Sequence, residues 1–154
     1  MYLVDQQLKA FLESGIATEV ATVDGAGRPH HTPGWGPRIC DGGAVLQLFL
    51  EDPRATQALS DIAETGRLAV VFADPVTYRS IQLKGYASVA GAALPGDTRW
   101  IERHRNAFLA CIAMIGDPPS ALRNMWMDTT YTRVDVRIEQ AFDQTPGRRA
   151  GVPL

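Results

Sequence analysis

The apolar positions of this chain change period as it runs, and each change marks an element. Leu8, Phe11 and Leu12 recur at helical spacing behind Asp5, a good N-cap, and Gly15 supplies a stop, which predicts a first helix. Residues Ala17 to Val23 read as a strand. The turn Asp24-Gly25-Ala26-Gly27 reverses it, and Arg28 to Trp35 returns, completing a hairpin. Pro29, Pro33, Gly34 and Gly36 deny that returning limb a regular place in the middle of a sheet, so it is expected at an edge or around a bulge. After a turn at Asp41-Gly42-Gly43, the nearly unbroken apolar run Ala44 to Leu50 suits a strand covered on both faces. Glu51-Asp52-Pro53 breaks it. Ala55, Ala58, Leu59 and Ile62 then predict a short amphipathic helix from Arg54 to Thr65, closed by Gly66.

The stretch from Leu68 to Val89 carries two strands joined at Asp74-Pro75, an antiparallel pair whose second member is two-faced. Tyr78, Ser80, Gln82, Lys84 and Tyr86 fall on one side of it, and Ile81, Leu83, Ala87 and Val89 on the other. A row this polar is built to meet something polar. Beyond Gly91 to Gly96, Asp97 opens a helix striped by Ile101, Phe108, Ile112 and Ile115 and stopped at Gly116 and Pro118-Pro119. Tyr131 to Phe142 alternates, with Val134, Val136, Ile138 and Phe142 inward and Arg133, Asp135, Arg137 and Glu139 outward. The tail DQTPGRRAGVPL is turn-rich and expected to be extended. Short antiparallel strands with a few helices predict one domain over residues 1–154, a small barrel with helices at its ends.

Composition narrows the functions open to such a barrel. A net charge of −2 with dispersed cations offers no field for nucleic acid. The first residues lack a basic start before an apolar run, and no window of about 18 apolar residues occurs, so a cytoplasmic protein outside the membrane is expected. Cys40 and Cys111 lie far apart without a metal-binding spacing and read as plain thiols. Dinucleotide, phosphate-loop, nucleophile-elbow and zinc-protease motifs are all missing from the sequence. His30 and His31 are neighbours on a strand, so they point to opposite faces and do not grip one metal; none is expected. Arg54 at a helix start, Arg79 and Lys84 are the cations that could meet a phosphate. Arg79 and Lys84 are five apart, so they share one anion only through a bulge or a second subunit.

Four segments, ATVDGAGRPHHTPGW, PRATQAL, RLAVVFADP and TYRSIQLKG, stand in the order and spacing in which the chain resembles the pyridoxamine 5′-phosphate oxidase-like flavoproteins. The resemblance runs from the first helix to about Phe142. It implies a mainly β (α+β) fold, an antiparallel six-stranded split β-barrel of the FMN-binding type with flanking helices. It also implies a homodimer with two FMN molecules at the subunit interface, acting on a small redox substrate. Carried over by position, Arg54 would meet the phosphate, and Thr32, Pro33, Gly34 and Trp35 would run along the flavin ring. Ser80 and Gln82 would face the cofactor, with Arg79 and Lys84 as further candidates. Trp126, Gln144 and Arg148 could complete the pocket from the partner.

Two departures shape the expectation. Thr32 and Ala55 stand where members of the family carry cations, which predicts a weaker grip on the FMN phosphate. The chain ends GVPL, without the Arg-Leu-x-Pro of the true oxidase, so pyridoxamine phosphate is not the expected substrate. An alternative from another class is a non-catalytic module for haem, a deazaflavin or another planar ligand, with His30 or His31 as axial-ligand candidates. No general acid or base is assigned.

Overall fold

The computed structural model describes residues 1–118, 120 and 130–154; the Trp126 expectation lies outside them. Helix α1 spans Gln6–Leu12, and the Asp5 carboxylate accepts the Leu8 N–H at 2.7 Å, as the sequence predicts. Strands β1 (Ala17–Val23), β2 (Pro29–Pro33), β3 (Trp35–Cys40) and β4 (Val45–Glu51) follow. Helix α2 (Asp52–Thr65) opens two residues before the expected start, because Pro53 is tolerated in a first turn, where its missing N–H has no bond to lose. After it come β5 (Arg67–Ala73), β6 (Ser80–Ala92), α3 (Pro95–Met114), β7 (Tyr131–Asp143) and β8 (Val152–Pro153). Helix α3 likewise starts at a proline, and Asp97 works from inside the first turn, its carboxylate accepting the Leu94 N–H at 2.9 Å.

The strands form one antiparallel sheet in the order β2-β1-β5-β6-β7-β4-β3, with β8 added beside β7. Its two end strands, β2 and β3, are separated in sequence by Gly34 alone. A chain that crosses from one edge of a sheet to the other in one residue requires the sheet to curl until its edges meet, and the result is a split barrel. At the crossing the Gly34 N–H donates to the Thr18 carbonyl at 2.9 Å, and a Cβ there would press on the Val20 and Thr18 methyl groups at 3.0 and 3.2 Å. Among the described residues the expected six strands become eight, because the returning limb divides at Gly34 and the tail contributes β8. Both proline-bearing pieces lie at edges, where a missing N–H costs no ladder bond.

Two cores hold the fold. In the larger, Ala55, Ala58 and Ile62 of α2 plug the interior of the curl against Val20, Leu46, Val70, Leu83 and Val136. In the smaller, Trp35 and Phe49 meet Ile101, Phe108 and Ile112 of α3. Among the described residues no helix is long and apolar enough to cross a membrane. Cys40 and Cys111 are free thiols whose ionisation burial pushes upward.

Three side chains depart from the alternation. Tyr78 precedes β6: Asp74 collects the Val76 N–H, the Thr77 N–H and the Thr77 hydroxyl into a turn that leaves Tyr78 at φ 61° and exposed. Val89 lies 45% exposed toward the far end of β6, past the stretch where the core covers that face. Phe142 was expected inward. In the β6–β7 pairing, Lys84 faces Gln140 while the next residue, Gly85, faces Ile138, so Glu139 is an unpaired extra residue. Such a bulge inverts the alternation beyond it. Val134, Val136 and Ile138 point inward before it, Ala141 after it, and Phe142 turns outward beneath Lys84, whose Nζ lies 4.8 Å from the ring centroid.

Candidate functional site

The outward face of the curled sheet carries the polar row of β6. Registers across β1, β5 and β6 align Lys84 with Ala69, Ala21 and His31, and Gln82 with Val71, Glu19 and Pro33. Ser80 faces Ala73, which faces Ala17. The middle of this face is therefore floored by alanines, which lets a flat group approach the backbone closely, and the first row spans roughly 15 Å at the usual strand spacing. A concavity of about 370 Å³, within the range of small-molecule sites, lies over Ala21 and Ala69 and is walled by Arg67, Lys84, Tyr86 and Gln140. Gln82 accepts from the Gln144 amide at 3.3 Å, Ser80 donates to the Tyr78 carbonyl at 3.1 Å, and His31 meets Glu19 at 2.5 Å.

A second polar locus lies on the other face, at the seam where edge strand β2 meets α2. Asp61, 1% exposed, accepts from the Thr22 hydroxyl at 2.6 Å and the Gln57 amide at 2.8 Å, and its Oδ2 meets His30 Nδ1 at 2.7 Å. Burial alone would push this carboxyl up, but the bonds from Thr22, Gln57 and His30 outweigh it and hold it below its ordinary value. Two residues along β2, Thr32 turns to the same side; it is 2% exposed and its hydroxyl has no partner among the described residues. At the start of α2, Arg54 pairs with the buried Glu51 at 3.5 Å.

The expected site residues thus divide. Ser80, Gln82 and Lys84 lie on the outward face, with Pro33 aligned beside Glu19. Thr32 and Arg54 belong to the seam. Gly34 is the edge crossing, and Trp35 is buried in the smaller core with its ring edge-on to His104 and Phe108. Arg79 sits over the Phe11 ring of α1 at 4.1 Å, away from Lys84, as their odd spacing predicts. Ala55 is wholly buried, so the cation missing there is replaced by core packing. Gln144 meets Gln82 of its own chain, and Arg148 is exposed.

His30 and His31 point to opposite faces, each already bonded to a carboxylate, and no group of three metal-ligating side chains occurs among the described residues. Sequence reading missed Asp61 as the partner of His30. The available signal was a carboxylate placed beside Ile62 on the apolar stripe of α2, where only a bonded acid can lie.

No family model matches the chain, and no curated protein matches it. Solved structures do. HupZ of Group A Streptococcus aligns over 97% of this chain and 100% of its own at 18% identity and a TM-score of 0.60. An F420 reductase aligns over 90% and 98%, at 19% and 0.56. A pyridoxamine 5′-phosphate oxidase-related, FMN binding protein of Nostoc punctiforme aligns over 88% and 77%, at 14% and 0.50. At these identities the likeness establishes the split-barrel fold.

Proposed function

We propose that this chain is an FMN-binding flavoprotein oxidoreductase that works as a homodimer on a small redox substrate other than pyridoxamine phosphate. The observation that carries the reading is the alanine-floored outward face, with a concavity over Ala21 and Ala69 and with Lys84, Gln82 and Ser80 along one side. Seam and face lie on opposite sides of one sheet, so a single protomer does not bring Arg54 and Thr32 to the same ligand as Gln82. A second protomer laid against the rim would, and the reading therefore includes a dimer. That the Nostoc punctiforme protein sharing the fold is an FMN binding protein supports the choice of cofactor.

When bound, FMN supplies hydride or electron transfer, and the protein orients it. Small side chains at Ala21 and Ala69 admit the ring. Lys84, held over Phe142, and the Gln82 amide offer donors toward a polar edge of the ring, where negative charge would be stabilised. Arg54, Thr32 and the seam receive the anionic end.

An absorption spectrum of freshly purified protein, followed by a fluorescence titration with FMN, tests this. The expected result is a flavin spectrum with quenched emission at about one FMN per chain. Absence of both, or a Soret band in their place, would overturn it, the latter in favour of the planar-ligand alternative.

A further inference from the structure

The seam between β2 and α2 has an order that follows from its contacts. The Thr65 hydroxyl bonds the Val23 carbonyl at 2.9 Å and Asp61 bonds Thr22, so moving back along β1 leads toward the start of α2. Thr22 faces His30 and Val20 faces Thr32. Along the seam the groups therefore run His30, Thr32, then Arg54, with Arg54, Gln57 and Asp61 on one face of the helix, where residues three, four and seven apart align.

Arg54 is the obvious receiver for an anion, but its charge is committed. Glu51 pairs with it, and a second carboxylate, Asp52, stands beside it at the helix start, accepting from Thr132 at 2.6 Å. His30 differs. Its Nδ1 is fixed by a carboxylate that is itself held by two further donors, while Nε2 has no partner among the described residues and the side chain is 32% exposed. A ring gripped at one nitrogen presents the other in a fixed direction, and an imidazolium donates from both. Thr32 adds a buried hydroxyl without a partner on the same side of the strand.

We propose that His30, oriented by Asp61, receives the phosphate monoester end of the ligand at this seam, with Thr32 beside it and Arg54 in a supporting place. This rests on the reading above that the ligand is a phosphorylated flavin. One proton is shared between Nε2 and a phosphate oxygen. The proton comes with the monoanionic form of the ester or from solvent, and the ring then bridges two acids. Asp61 is a positioning residue, acting on the ligand through His30.

The first test needs no variant. Titrating the wild-type protein with inorganic phosphate while following the ring resonances of its three histidines should move His30 saturably and leave His31 and His104 in place. No movement at His30, or equal drift of His30 and the exposed His31, overturns the inference. The second compares FMN with riboflavin, which lacks the phosphate. His30→Ala, verified as folded by thermal unfolding, should lose tenfold or more in FMN affinity with riboflavin unchanged. Unchanged or equal losses for both flavins would remove His30 from the phosphate while leaving flavin binding intact. If the wild type binds neither flavin, the reading of the preceding section fails, and the histidine titration alone decides this one.

Discussion

At the scale of single residues, two buried polar groups set measurable limits. Asp61 satisfies three donors inside the seam. Asp61→Ala leaves those donors unpaired, and at about 1–3 kcal/mol for a buried orphan the expected loss is about 3 kcal/mol, read as a lower urea midpoint. His104 is 5% exposed, donates to the Ile16 carbonyl at 3.1 Å, and is pushed down to about 4 by burial. Its folded value lies below its unfolded 6.5, so the unfolded chain takes up the proton first. The stability it contributes is whole above 6.5 and drains as pH falls toward 4, by about 3 kcal/mol at most. Asp24, Asp61, Asp74 and Asp143, all held below 3.8, add acid sensitivity only lower down. Urea melts at pH 7 and 4.5 should therefore differ in the wild type and converge in His104→Leu; an equal difference in both would assign the slope elsewhere.

At the scale of elements, what the sequence showed and what it hid have separate physical causes. Period alone located α1, β1, β4, β5 and the first half of β7, because burial on one face or both leaves a periodic trace in the apolar positions. The sheet order did not show. Nor did the crossing at Gly34, which depends on strands distant in sequence, or the inversion at Glu139, which one extra residue produces without any change of composition. The candidate site was half legible: the Ser80–Gln82–Lys84 row is a local alternation, whereas His30 with Asp61 joins residues 31 apart. Gly85 shows how tightly the bulge is built, since a Cβ there would collide with the Arg137 carbonyl oxygen. Gly85→Ala should cost at least about 2 kcal/mol, because backbone, unlike a side-chain tip, does not step aside. A melting temperature within a degree of wild type would show that the strand re-registers freely.

At the scale of the whole molecule, the outward face is the surface that the proposed cofactor and the proposed partner share. Ala69 lies at its centre, half-buried, between Ala21 and Lys84. Ala69→Glu puts a carboxylate on the flat floor without touching either core. Light scattering should then report one chain where the wild type reports two, and FMN titration should lose its quenching at the same time. A variant that still pairs and still quenches would move the interface elsewhere. The irregularity at Glu139 bears on this face as well. Replacing that residue forfeits little beyond its pairs with Arg137 and the N-terminal amine, at 2.8 and 3.4 Å. Deleting it would set Gln140 directly after Ile138, still opposite Lys84, so the ladder would close with Ala141 still inward and Phe142 still beneath Lys84. A further residue added there would instead turn Ala141 outward and Phe142 into the core, so the strand is tolerant of spelling and of loss at this point and intolerant of gain.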